Sequence, residues 1–398
     1  MLEVDDAQKR IVSAVQPLAS ENVPLDQTVR RILAKHVAAP ISLPSFDNSA
    51  MDGYAVHAVD VQTAAAATPV SLKCIGAVPA GQAIETAVNR GTCVRLFTGS
   101  ALPDGANAVV MQEETRIANG MIEVFSSVKP WENVRLAGED IKAGIVVGEQ
   151  GEPVTAARLA LFGALGIAEL PVIRRPIVGV IGTGNELVTT GQPGPGQIYE
   201  SNRLCLASLI TQIGADVRVF ALVRDSLGET RAALQAAFEV CDVVVTTGGV
   251  SVGEHDVVKP AFQAIGGTCE FWKIAVKPGK PFMFGRWREK LLFGLPGNPV
   301  SAFVTCLVLV RPALLKLQGA KNLWLPAHPG ILAEEFANQG DRIHFIRANV
   351  DPKGMVCSAG LQASHALGSL ANANALLAMP PETIWPAGRT VEVLRWEF

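Results

Sequence analysis

Residues 177–186 read Ile177-Val178-Gly179-Val180-Ile181-Gly182-Thr183-Gly184-Asn185-Glu186, an apolar run that breaks into a Gly-Thr-Gly turn. Six apolar residues bounded by turn signals mark a strand buried on both faces. Beyond this run, helices and strands alternate. Ser201–Ile213 reads as a helix ending at Gly214, and Asp216–Val223 as a strand. Ser226 and Glu229 form a capping box for a helix to Val240. Val243–Thr246 is a β-branched strand ending in Gly-Gly, with a helix to about Ile265 and a strand near Glu270–Ala275 after it. Phe282–Gly285 and Leu291–Leu295 suit a hairpin. Asn298 as N-cap and Pro299 at the first helical position open a helix toward Leu317. Residues 176–323 are therefore expected to be an α/β domain, its mostly parallel sheet covered on both faces.

Outward from this core the pattern changes. Residues 4–18 have Ile11, Val15 and Leu18 at helical spacing, and a second helix is expected after Asp26 through Val29, Ile32 and Leu33. Thr155–Leu165 reads as helical again, so residues 1–47 and 137–175 are expected to form a helical N-terminal and linker domain. Between them, residues 48–136 carry short β-branched runs and turns such as Pro79-Ala80-Gly81 and Asn119-Gly120, the marks of an inserted β-rich domain. From residue 324 to 398 the helical period vanishes; Arg342–Ala348, Leu376–Met379 and Thr390–Leu394 predict a small β domain. The fold class expected is thus multidomain.

Composition narrows the partners. There are 34 Lys+Arg against 37 Asp+Glu, net −3, with no long basic block, which argues against nucleic acid. The acidic start MLEVDDAQKR has no apolar core of a signal peptide, and Leu159–Ala168 and Ala302–Val310 fall short of the roughly 20 residues of a membrane span. No membrane association and a cytoplasmic location are expected. The seven cysteines include no C-x-x-C, which fits reduced thiols, and the six histidines show no zinc-binding pairing.

In an open parallel sheet, ligands bind beyond the carboxyl ends of the strands. Three loops fall there. Gly182-Thr183-Gly184-Asn185-Glu186 lacks the third glycine of a dinucleotide fingerprint, having Leu187 instead, so a phosphate or nucleotide loop with Glu186 reaching the ligand is preferred. Thr246 to Gly253 places Gly248, Gly249, Ser251 and Gly253 where backbone N–H groups can face an anion. Glu254 and Asp256 beside such a loop make sense if Mg²⁺ lies between them and a phosphate. Lys277-Pro278-Gly279-Lys280-Pro281 is a stiff loop with two cations and no nearby acid, which points to an anionic ligand. Gly294 to Ser301 then turns a helix N-terminus toward it, through Pro296, Asn298 and Ser301. The alternatives are a solvent-exposed turn for the first loop, a loop with an acidic helix N-terminus for the second and a solvated basic turn for the third. No nucleophile elbow or Walker lysine motif is present.

With Ser49-Ala50-Met51-Asp52-Gly53-Tyr54-Ala55-Val56, Arg95-Leu96-Phe97-Thr98-Gly99 and Val134-Arg135-Leu136-Ala137-Gly138-Glu139-Asp140, these loops resemble, in order, the molybdopterin molybdenumtransferase family (MoeA and the gephyrin E domain). The resemblance implies an elongated four-domain homodimer with its active site at the subunit interface. It implies insertion of molybdenum from molybdate into adenylylated molybdopterin, with Mg²⁺ and release of AMP. A transient contact with the molybdopterin adenylyltransferase is a further implied partner. By matching positions, Glu186, Asp225 and Asp256 are the implied acidic, metal-binding group. Asp52, Thr98, Arg135 and Asp140 are the implied contribution across the interface. Lys273, Lys277 and Lys280 match the family lysines, and Lys277, Lys280, Ser301, Arg347 and Ser369 the molybdate set, while Thr183 and Gly184 fall in the cofactor loop. The family often has Asp where Asn185 stands, which puts a metal role for that position in doubt. An adenylyltransferase acting one step earlier and a non-catalytic scaffold are the alternatives, and tungstate is the competing oxyanion.

Overall fold

A computed structural model of the chain describes residues 1–82, 85, 87–250 and 256–396. At its centre six strands lie in the order Asp216–Val219, Ile177–Gly182, Val243–Thr247, Lys290–Leu295, Met283–Trp287 and Thr268–Trp272. The first four are parallel; Met283–Trp287 runs antiparallel to both of its neighbours, its hairpin with Lys290–Leu295 supplying the reversal. The register sets the site. Gly182 lies opposite Thr247, and Thr247 opposite Leu295. Three strands therefore end at one level, and the loops expected to bind ligand leave side by side.

Ile177–Gly182, Val243–Thr247 and Lys290–Leu295 are buried along nearly their whole length because helices cover both faces. Leu206, Leu209, Phe293, Leu307 and Leu314 share one buried cluster, while Leu234, Phe238, Phe262 and Leu292 form another. The N-terminal helix Val4–Ser13, shorter than the expected 4–18, buries Val4, Ala7 and Ile11 in the first cluster. It is held by a specific polar contact. The helix that opens at Pro299 is α-helical over Pro299–Thr305, widens to a π-helix over Cys306–Val310 and is α-helical again over Arg311–Leu317. Pro312 has no N–H to donate to the carbonyl four residues back, that of Val308. The Gln8 amide donates to it instead, at 3.0 Å. The whole stretch Pro299–Leu317 is long and apolar enough to cross a membrane, longer than the runs expected from sequence, but 78% of its window is buried inside the molecule. It is read as a core helix.

The helix expected after Asp26 is not formed. Leu25–Gln27 is a single 3-10 turn. Thr28 Oγ1 donates back to the Leu25 carbonyl at 2.6 Å, and Arg30 has φ 64°, a left-handed conformation no helix continues through. The backbone there bonds to a distant segment: Arg30 N–H to Val154 O and Leu33 N–H to Glu152 O. Val23, Leu33, Phe162 and Leu170 then bury together, and Ser20–Pro24 pairs with Glu169–Ile173. The N-terminal segments are thus mixed rather than helical, although Ala156–Ala164 forms behind its Thr155 N-cap.

The inserted region is a six-stranded sheet ordered Ala108–Met111, Gly53–Val56, Thr92–Leu96, Val70–Val78, Met121–Val124 and Thr115–Ala118. Near the C-terminus, Ile343–Val350 pairs with Ala375–Met379, and Ala327–Leu332 with Thr390–Arg395. The two-residue strand Val276–Lys277 joins this last sheet in parallel, opposite Ile343 and His344. Lys277 is therefore placed where the α/β and C-terminal sheets meet.

Replacing Gln8 by Ala leaves a carbonyl in the core without a donor, and the expected cost is about 1–3 kcal/mol of stability. Chemical denaturation checks this; an unchanged midpoint would mean that the contact carries nothing.

Candidate functional site

A cleft of about 670 Å³ opens over the carboxyl ends of the three aligned strands. Of the residues expected from sequence, Thr183, Gly184, Glu186, Asp225, Gly248, Gly249, Asp256, Pro296 and Asn298 line it. Ser251 and Gly253 lie outside the described residues, as does Glu254. The floor is tightly built. Gly248 and Gly249 have φ 90° and 64°, and a Cβ on Gly248 would meet the Thr183 carbonyl at 2.4 Å. Glycine is required there both by conformation and by the approach of two backbones. Gly248 N–H, expected to face an anion, donates instead to Leu295 O at 3.1 Å. It ties the loop to the neighbouring strand end. Thr183 Oγ1, also on the cleft, is buried with no hydrogen-bond partner among the described residues.

Asn202, missed by sequence reasoning, welds these loops. Its Nδ2 donates to Thr247 Oγ1 at 2.8 Å and to Gly297 O at 2.7 Å, while Thr247 Oγ1 donates to Pro296 O at 3.0 Å. The carboxylate wall has a comparable clamp. Asn185 N–H donates to Asp225 Oδ2, and Asp225 N–H to Asn185 Oδ1, both at 3.2 Å. A carboxylate oxygen in place of the Asn185 amide oxygen would accept that second bond equally well. The substitution thus preserves the clamp. Among the described residues, no three His, Cys, Asp or Glu side chains converge as a ready-made metal cage. Glu186, Asp225 and Asp256 share the cleft as oxygen donors without enclosing an ion themselves.

Lys273, Lys277, Lys280, Ser301, Arg347 and Ser369 do not line this cleft. Lys273 has φ 72° and sets its ammonium 4.1 Å from the Trp272 ring centroid, with Lys259 at 4.6 Å from the same ring. The Trp272 indole N–H donates to Val250 O at 2.8 Å, at the end of the described glycine loop. Trp272 therefore connects two cations to that loop; nothing in the sequence distinguished it from a core aromatic.

The remaining residues form a second group. Arg347 is fully buried. Its Nε donates to Ser369 Oγ at 2.9 Å and its Nη2 to the carbonyls of Leu361 and Ala363, at 2.7 and 3.1 Å; Nη1 has no partner among the described residues. No carboxylate pairs with it among the described residues. Burial holds the Arg347 pKa below its ordinary value. His344, opposite Lys277, is pushed down to about 4 by burial and then by Lys277, Arg347 and Arg342. The segment carrying the Arg347 acceptors also reaches the cleft. Ser364 accepts from Asn298 Nδ2 at 3.0 Å and from Val300 N–H at 3.2 Å, and His365 and Leu367 line the cleft. Gly279 of the lysine loop packs on Thr305 and the Ser301 carbonyl. The segment 361–367 thus links the carboxylate-lined cleft, the helix start at Asn298–Val300 and the buried Arg347 guanidinium.

Asp52, Thr98, Arg135 and Asp140 are not brought to the cleft by this single chain. Asp52 Oδ1 accepts from Thr98 N–H and Oγ1, both at 2.8 Å, and these bonds hold its pKa below the usual range. Arg135 pairs with Asn48 across a short strand, and Asp140 N–H donates to Leu43 O at 3.1 Å. Exposed Met51, Phe97 and Leu136 lie beside them in sequence.

The α/β fold with its cleft at the strand ends defines a ligand-binding domain, flanked by additional domains. Residues 2–166 match the MoeA N-terminal region (domain I and II), residues 179–316 a probable molybdopterin binding domain and residues 329–396 the MoeA C-terminal region (domain IV). The chain is 39% identical to a molybdopterin molybdenumtransferase of Haemophilus influenzae, covering 99% of this chain and 98% of that protein. It is 39% identical to molybdopterin molybdenumtransferase 2 of Mycobacterium tuberculosis, covering 98% of each. A solved molybdopterin biosynthesis MoeA protein from Pyrococcus horikoshii superposes over 100% of both chains with TM-score 0.86 and 31% identity. The chain belongs to the molybdopterin molybdenumtransferase family, and it is a transferase of molybdenum cofactor biosynthesis.

Gly248→Ala is expected to force the loop away from Thr183, with a stability loss of about 1–3 kcal/mol and collapse of ligand binding in the cleft. Thermal melting and phosphate titration check both; normal phosphate binding by the variant would contradict this role for the glycine.

Proposed function

We propose that the chain accepts adenylylated molybdopterin in the cleft and molybdate in the Arg347 pocket, delivering molybdenum to the dithiolene as AMP leaves. The observation that carries this reading is Arg347. A guanidinium buried without a carboxylate, with one nitrogen unpartnered, is costly unless an anion completes it. Molybdate, a dianion, supplies both charge and acceptors, and Lys277, Lys280 and Ser301 lie on the loop and helix packed beside the pocket. The phosphate of adenylylated molybdopterin is assigned to the glycine loop and Thr183 Oγ1.

Mg²⁺ fits the donors present, because it commonly takes one or two carboxylates and completes its shell with water and substrate phosphate. Glu186, Asp225 and Asp256 would hold it from one side of the cleft. When bound it supplies polarisation of a phosphoryl oxygen. The protein's own contribution is positioning: the Asn185–Asp225 clamp fixes a carboxylate, and the Asn202 bridge fixes the loop that faces it.

A homodimer completes the site in this reading. Asp52, Thr98, Arg135 and Asp140, placed away from their own cleft, would serve the partner's, with Met51, Phe97 and Leu136 giving the approach an apolar rim. A cytoplasmic location accords with seven free cysteines.

Purified protein given adenylylated molybdopterin, molybdate and Mg²⁺ is expected to release AMP and form active cofactor; no AMP release would refute the reading. Arg347→Met should lose molybdate-dependent turnover, with a stability loss of about 1–3 kcal/mol because the Leu361 and Ala363 carbonyls lose their donor. A destabilised variant with normal turnover would make Arg347 structural. Mixed Asp52→Ala and Asp256→Ala subunits, each inactive alone, should recover about a quarter of wild-type activity through one intact site per heterodimer. No recovery would place both residues in the same chain's site.

A further inference from the structure

The cleft has a second wall that the carboxylates and glycines do not explain. Leu187, Ile198, Tyr199 and Leu367 all line it. Three of them are large apolar side chains left open to solvent: Ile198 and Tyr199 are each 57% exposed and Leu367 is 44% exposed. Single exposed apolar residues are ordinary, but several lining one cleft mark a ligand contact. The wall is rigid. Leu187–Val188 and Ile198–Tyr199 pair in parallel, and Ile198 N–H donates to Glu186 O at 2.8 Å and Glu200 N–H to Val188 O at 2.9 Å. The Tyr199 hydroxyl donates to Gly191 O at 2.7 Å, which pins the ring at its outer end. Behind it, buried Glu200 is ion-paired with Arg203 at 3.0 Å. Among the described residues, Tyr199 is the one Phe, Tyr or Trp on the cleft.

We propose that Tyr199 is a stacking platform for the planar nitrogen heterocycle of the substrate, held over the apolar wall while its phosphate reaches the glycine loop. This rests on the assignment of adenylylated molybdopterin to the cleft. That substrate carries two such heterocycles, adenine and pterin, and the platform suits the shared chemistry of either.

The test uses three probes on the full-length protein: AMP, ribose 5-phosphate and 6-hydroxymethylpterin, titrated by NMR or calorimetry. Tyr199→Ala is expected to weaken AMP or the pterin by about tenfold, the scale of one base–aromatic stack, and to leave ribose 5-phosphate unchanged. Which heterocycle loses affinity identifies the one stacked. Tyr199→Phe keeps the ring and should stay within about threefold of wild type for all three. Equal affinities in wild type and Tyr199→Ala would overturn the platform and leave the cleft assignment standing. A matching loss for ribose 5-phosphate would also overturn it, as general damage to the cleft. Failure of the wild type to bind AMP and the pterin at all would overturn the cleft assignment and the platform with it.

Discussion

The alignment of three strand ends is the constraint on which the site depends. Gly182, Thr247 and Leu295 stand level, so the loops after them begin within reach of one another. Contact this close between backbones allows no side chain at position 248, where a Cβ would lie 2.4 Å from the Thr183 carbonyl. The Gly248–Leu295 and Asn202–Thr247–Pro296 hydrogen bonds then turn three separate loops into one surface. A rigid scaffold of this kind lets catalysis proceed through positioning.

The cleft and the Arg347 pocket have opposite electrostatic characters, and the separation has a physical logic. Carboxylates that suit a cation would repel a dianionic oxyanion, and Arg347 paired to a carboxylate would have no capacity left for a ligand. Residues 361–367 touch both: Leu361 and Ala363 accept from Arg347, Ser364 accepts from Asn298, and His365 and Leu367 line the cleft. Lys277 stands opposite His344 because its two-residue strand joins the C-terminal sheet rather than its own domain's.

Much of the α/β core was legible in the sequence because its signals are local. The strand Ile177–Gly182 was read with its observed ends, and Ser226 does accept from Glu229 N–H to start Leu227–Val240. The helix after Asp26 was misread because long-range bonds to Glu152 and Val154 overrode a weak local pattern. In the site, glycines and acids announced themselves by type and spacing. Asn202, Trp272 and Tyr199 did not, because a hydrogen bond across 95 residues or an aromatic left exposed in a cleft has no local signature. The roles of Arg347 and Ser369 came from resemblance alone; the unpartnered nitrogen that gives Arg347 its meaning is visible only in three dimensions.

The central claim is that two chemically distinct sites are linked by residues 361–367. Anomalous diffraction from crystals of the protein soaked with molybdate, AMP and Mn²⁺ in place of Mg²⁺ tests it most directly. A molybdenum peak is predicted beside Arg347 and Lys277, and a separate manganese peak among Glu186, Asp225 and Asp256. Molybdenum bound in the carboxylate cleft, or an empty Arg347 pocket at saturating molybdate, would contradict it.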